Sequence, residues 1–175
     1  MKIKTGMVRF SYVHVFEPSK MDEDSKEKYS VSIIIPKDDK KTLARINDAI
    51  EAALEQGKMS KFDGKIPRKY HNPLRDGDED REDDEAYEDS YFITAKSDRQ
   101  PGLVDADLQA IMSSDEFYSG CYGRASITFY PYNYNGTKGI AVGLNNLQKL
   151  KDGKHLGGSV TSAEDDFADS DDLFG

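Results

Sequence analysis

The fold class predicted by this 175-residue sequence is a small, mainly β domain, an antiparallel barrel or strongly curled sheet interrupted by one helix. Three observations carry that expectation. About five segments alternate apolar and polar residues over strand-like lengths. One stretch, after Pro36, spaces its apolar residues for a helix instead. An Asn135-Gly136 pair sits between the last two strand-like segments, a strong hairpin signal.

Taken in order, residues 2–16 read as one strand, or as two joined at a bend. Val8, Phe10, Tyr12, His14 and Phe16 alternate there with Met7, Arg9, Ser11, Val13 and Val15. Residues 17–27 form a charged turn. The next strand places Tyr29, Val31, Ile33 and Ile35 on one face. Pro36 ends it, lacking the amide hydrogen that a ladder requires.

Asp38 or Asp39 can then cap a helix whose Leu43, Ile46, Ile50 and Leu54 make one apolar stripe. Gly57 suits its C-terminal stop. Residues 58–75 form a basic, aromatic loop, and 76–89 an acidic insertion expected to be disordered or loosely held. Strand character resumes over 91–97, a turn follows at 99–102, and 105–118 is a loop with room for one helical turn. Two long strands, 120–132 and 138–147, close the domain through the hairpin at 133–137.

Five strands and one interposed helix make the oligonucleotide-binding (OB) fold the natural candidate, a five-stranded barrel among the α+β alternatives. It would occupy residues 1–156, leaving 157–175 as a disordered acidic C-terminal tail.

Charge placement sharpens this division. The chain carries a net −9, yet ten acids and one arginine fall in 76–89, and six acids and no base fall in 164–175. The remainder holds 17 acids against 23 bases, a body of net +6. Like charges keep such a tail extended, and its apolar content is too small to offset the cost of ordering it. Phe167, Leu173 and Phe174 nevertheless give the tail apolar anchors beside Asp171 and Asp172, which points to a binding partner.

A single cysteine, Cys121, excludes an internal disulfide. No apolar run approaches the roughly 18 residues of a membrane span, and the first residues lack a secretory signal. A soluble, cytoplasmic protein is expected.

The strand from Cys121 carries the most chemistry. Ala125, Ile127 and Phe129 alternate toward a core. The opposite face bears Tyr122, Arg124, Ser126, Thr128, Tyr130 and Tyr132, and Tyr134 and Lys138 extend it into the hairpin. Tyrosines often pack on half-buried strands with wet hydroxyls. Three on one face beside an arginine, in a basic body, instead offer stacking platforms for bases and a charge for phosphate.

Lys65, Arg68, Lys69 and Tyr70, in the segment that runs on to His71, form a second candidate, a loop able to clamp an anionic strand. The same bases can equally balance the neighbouring acids. Lys96 and Arg99 end another strand and complete the set. The acids of 76–89 lack the interleaved hydrophobes that would hold a catalytic metal site rigid. No zinc spacing, phosphate loop, dinucleotide motif or nucleophile motif occurs, so neither cofactor nor catalytic residue is expected.

The segments Tyr118-Ser-Gly-Cys-Tyr-Gly-Arg124 to Phe129-Tyr-Pro-Tyr-Asn133, and Lys138-Gly-Ile-Ala-Val-Gly-Leu-Asn-Asn-Leu-Gln-Lys149, carry a resemblance. With Ala95-Lys96-Ser97 and Arg99-Gln100-Pro101, they resemble a family of bacteriophage single-stranded DNA-binding proteins related to those of T7-like phages. The resemblance implies an OB fold and work in phage replication and recombination. It also implies a homodimer, and a tail that recruits a polymerase, primase or helicase. In that class the tail ends in acids and phenylalanine; here Gly175 follows Phe174. The rival readings are an acidic decoy that imitates DNA and a metal-dependent nuclease using the 76–89 carboxylates.

Overall fold

The computed structural model describes residues 1–20 and 22–156. Its strands are β1 (Lys2–Lys4), β2 (Val8–Ser19), β3 (Lys28–Pro36), β4 (Arg75–Asp76), β5 (Ser90–Ser97), β6 (Gly102–Val104), β7 (Tyr122–Tyr134) and β8 (Thr137–Lys151). Helix α1 spans Lys40–Ser60, and α2 is one turn at Gly77–Asp80. A short 3₁₀ turn follows at Glu85–Tyr87. No helix among the described residues is long and apolar enough to cross a membrane.

Five of these strands close on themselves in the order β7-β2-β3-β5-β8, with β8 returning to β7. All contacts around the ring are antiparallel except β5 with β8, a single parallel bridge from Lys96 to Gly143. That is the expected OB arrangement, a partly open five-strand ring. The segment after α1 crosses the weak β5–β8 seam. His71 pairs with the start of β8, and Arg75–Asp76 pairs with Phe92 and Tyr91 of β5.

The ring's interior follows from side-chain period. Phe10, Val31, Ile33, Ile35, Ile93, Ala125, Ile127 and Phe129 are all buried in one cluster. Of the two readings of residues 2–16, the bent one holds: a break separates β1, whose Ile3 pairs opposite Ile127, from β2. Strands β4 and β6 escaped prediction because two or three residues are too short to show a period.

The expected charged turn is also shorter, since β2 runs on to Ser19 through two register shifts. At the first of these, Tyr12 adopts a left-handed backbone (φ 47°). The two-residue turn has φ 49° at Asn135 and 87° at Gly136, the type I′ geometry that an Asn-Gly pair favours.

Helix α1 is capped by Asp39, whose carboxylate accepts from the Thr42 amide at 3.1 Å. Its stripe of Leu43, Ile46, Ile50 and Leu54, filled out by Ala49 and Ala53, is buried against the ring. Gly57 does not stop the helix. It lies inside the last turns, where a Cβ would come within 2.6 Å of Pro131 and 2.5 Å of Phe62. The glycine is there for close packing on β7.

The acidic insertion is ordered, contrary to expectation. Ile34 and Phe92 are register partners on β3 and β5, facing away from the ring's interior. Two outward hydrophobes side by side need a cover, and Tyr87 supplies it. The ring of Tyr87 is fully buried, meets Phe92 edge-on with centroids 5.0 Å apart, and hydrogen-bonds through its hydroxyl to Ser32 at 2.8 Å. Burial pushes the Tyr87 phenol above its ordinary pKa. Lys37 clamps the front of the segment, 2.9 Å from Asp76 and 2.7 Å from Asp78.

Tyr87→Ala should therefore cost about 3 kcal/mol of stability, and Tyr87→Phe about 1 kcal/mol, in denaturant titrations. Equal stability of both variants with the parent chain would mean that the acidic segment is not anchored here.

Candidate nucleic-acid interface

Because Ala125, Ile127, Phe129 and Pro131 point into the ring, Tyr130, Tyr132 and Tyr134 must point out. They line one long groove with Lys28, Thr94 and Lys96 of β3 and β5, and with His71, Arg75 and Arg81. Tyr130 is 44 % exposed and Tyr134 75 %, so both rings are open to a planar ligand. Tyr132 is more confined. Its ring lies over Gly139, its cross-strand partner, where an added Cβ would stand 2.6 Å from the Tyr132 hydroxyl and 2.8 Å from His71. The glycine and the strap residue His71 together set the angle at which Tyr132 enters the groove. Asp98 is the one carboxylate among the residues lining it.

Beside this groove, on the outer face of β2 and β3, lies a smaller pocket. Tyr12, His14, Lys20, Ser30, Thr94 and Arg81 are among its lining residues, and none of its residues is acidic. The strained backbone at Tyr12 holds its ring 55 % exposed at this pocket's edge.

A third cleft, beyond Tyr12, has a mixed lining. Arg9, Tyr122, Lys154 and His155 line it together with Glu79, Asp80, Arg81 and the acids of 82–85. The Arg9 guanidinium is 5.2 Å from the Tyr122 ring centroid, and the Lys151 ammonium 5.6 Å.

Of the sequence-predicted residues, the fold brings Tyr130, Tyr132, Tyr134 and Lys96 into one groove. Tyr122 shares their strand face but lies at the far end, in the third cleft. Arg124 is tied down, its Nε donating to the Thr5 carbonyl at 3.0 Å. Lys138 stands on the hairpin 3.8 Å from Asp63.

Lys65, Arg68 and Lys69 are exposed on the loop after α1 and do not line the groove, and Tyr70 packs against the core. Arg99 is exposed in the turn after β5, outside the groove. Asp171, Asp172, Leu173 and Phe174 lie outside the described residues.

Sequence reading missed Lys28, Arg75, Arg81, Thr94 and Tyr12, whereas His71, the end of the basic loop candidate, does line the groove. Outward alternation along β3 and β5 marks Lys28 and Thr94. Arg81 is hidden by the acids around it.

The electrostatics separate the two arginines of this region. Arg75 pairs with Asp80 at 3.1 Å, whereas Arg81 has no carboxylate partner among the described residues. Lys37 is held protonated well above its ordinary range, first by its hydrogen bond to Asp78 and then by that to Asp76. Asp78 is correspondingly lowered, chiefly by Lys37. Among the described residues no three of His, Cys, Asp or Glu converge as metal ligands.

A family model described as Enterobacter phage Enc34, ssDNA-binding protein, matches residues 1–174. The chain belongs to this family. Protein p50 of Acyrthosiphon pisum secondary endosymbiont phage 1 is 31 % identical over 172 residues, covering 94 % of this chain and 92 % of p50. The single-stranded DNA-binding protein of bacteriophage Enc34, solved in complex with ssDNA, is 26 % identical. It superposes with a TM-score of 0.78 over 89 % of each chain. The bacteriophage T7 single-stranded DNA-binding protein shares the fold, with a TM-score of 0.61 at 16 % identity over 100 % of this chain and 97 % of its own.

Within this Enc34-type fold, Gly139→Ala should displace the Tyr132 ring, because the new methyl group and that ring cannot share the space. NMR should show the Tyr132 and His71 ring signals shifted and those of Tyr134 in place. Unmoved Tyr132 signals would contradict the packing described.

Proposed function

We propose that this chain is a sequence-tolerant, non-enzymatic single-stranded DNA-binding protein acting in phage DNA replication and recombination, with the tyrosine groove as its DNA interface. The carrying observation is the convergence of Tyr130, Tyr132 and Tyr134 with Lys28, Lys96 and Arg75 in one groove, in a chain whose Enc34 relative is solved with ssDNA. Every base has a π face, so stacking on tyrosine tolerates any sequence, while the cations follow the backbone. Lys65, Arg68, Lys69, Arg99 and Lys138, outside the groove, would act as peripheral phosphate contacts.

The acidic tail has a second role in this reading. Without DNA it lies on the basic body; displaced by DNA, it presents Asp171, Asp172, Leu173 and Phe174 to a polymerase, primase or helicase. Six acids and no base on residues 164–175, against a body of net +6, support the competition.

A gel-shift titration with a labelled oligonucleotide, in Mg²⁺ and in EDTA, tests the function. Salt-sensitive binding without cleavage is expected. Absence of binding would favour a DNA-imitating decoy, and Mg²⁺-dependent degradation a nuclease. Tyr130→Ala and Tyr132→Ala should each weaken binding by about 1–3 kcal/mol. Normal affinity in both would move the interface elsewhere. Deleting residues 164–175 should tighten binding at low salt, and unchanged affinity would remove the competition by the tail.

A further inference from the structure

Arg81 is the sole cation of a segment with ten acids, Asp76 to Asp89, and it does not pair with them. Its Nη1 donates to the Asp80 carbonyl at 3.1 Å. The rest of the guanidinium lies against aromatic carbon, 5.0 Å from the Phe92 ring centroid and 6.0 Å from that of Tyr87. An arginine surrounded by carboxylates would ordinarily take one as a bidentate partner. Arg75, close by, does pair, with Asp80. The Arg81 guanidinium lies by the Phe92 and Tyr87 rings, with no carboxylate within ion-pair distance among the described residues.

Its position gives that orientation a use. Arg81 lines the tyrosine groove, and it also lines the pocket of Tyr12, His14 and Ser30. Thr94 is likewise common to both. The two depressions therefore meet at Arg81 and Thr94 on the outer face of the sheet. A guanidinium placed against the Phe92 ring is partly immobilised and loses less freedom on gripping a phosphate.

Tyr12, across the second pocket, is an exposed aromatic on a backbone that most residues avoid. Strain of that kind persists where surrounding structure enforces it, and it concentrates at ligand sites.

We infer that the DNA strand crosses from Tyr130 and Tyr132 over Arg81 to Tyr12, with Arg81 holding a backbone phosphate and Tyr12 stacking a further base. The path rests on the single-stranded DNA function proposed above. It also gives the acidic segment a positive role, because the Tyr87 anchor lets that segment deliver one cation to the middle of the interface. Past Tyr12 the carboxylates of Glu79 and of residues 82–85 repel phosphate, which ends the path there.

The test uses the full chain, oligothymidines from about 4 to about 16 nucleotides, and a salt titration at each length. Arg81→Met keeps the apolar packing on Phe92 and removes the charge. It should weaken binding of the long oligonucleotide about ten-fold and reduce the magnitude of the salt slope by about 0.7, one single-strand phosphate contact. Arg81→Lys should retain the slope. Tyr12→Gly removes the ring while relieving the left-handed backbone, so weakened binding cannot come from added strain.

Tyr12→Gly should lose about ten-fold in affinity on the long strand and nothing on the shortest one that Tyr130 and Tyr132 retain. Tyr12→Phe should bind normally. Arg81→Met and Tyr12→Gly chains that bind every length with the parent slope, while Tyr130→Ala remains weak, would overturn this path and leave the function standing. A parent chain that binds no oligothymidine would overturn the function and the path together.

Discussion

Four side chains on one strand, Ala125, Ile127, Phe129 and Pro131, hold the rest of the molecule to its plan. Each is buried, and a strand has only two faces. Their burial fixes the register of β7 against β1, β2 and β8, so the ring can close in one way only. A slip of one residue would send the tyrosines inward and the aliphatics into water. Core and groove are thus two sides of a single constraint. The same strand gives α1 its seat, through the close approach of Gly57 to Pro131.

The acidic segment shows how a charged stretch can be held on a domain without pairing every charge. Tyr87 on Ile34 and Phe92 provides apolar anchoring, and Lys37 with Asp76 and Asp78 provides a hydrogen-bonded clamp. Glu79 and the acids of 82–85 line the cleft of Arg9, Tyr122 and Lys154. The protein's outer face therefore has a cationic, aromatic run and a fixed acidic bank beside it. A strand of phosphates laid on this surface is attracted along one line and repelled from its neighbour.

Much of this was legible in the residues. Period-2 alternation marked the long strands, the Asn135-Gly136 turn joined the last two, and the helix stripe followed Pro36. Burial on β7 matches that alternation position by position. The tyrosines of the hairpin and Lys96 were visible for the same reason. What was hidden depended on contacts distant in sequence. Ile34, between Ile33 and Ile35, gives no sign of needing a cover until Phe92 is placed opposite it. Tyr87 reads as one aromatic among acids, and Arg81 as one base among them. Tyr12 looks like any strand residue, because the register shift that exposes it arises from pairing with β3. Tyr122 and Tyr130 share a face, but the length of β7 carries them to different clefts.

The ring's closure joins the two ends of the described chain. Ile3 pairs with Ile127, Val8 with Gly123, and the N-terminal ammonium donates to the Phe129 carbonyl at 2.9 Å. On the ribosome, β1 and β2 emerge first and must wait for β7 and β8, which run to Lys151. Until then β2 and β5 expose the edges that the closing hairpin will pair with. Contacts of such long sequence separation make folding slow relative to local helix formation. Helix α1 forms early from neighbouring residues, yet it too must wait for β7, on which Gly57 and the apolar stripe are seated.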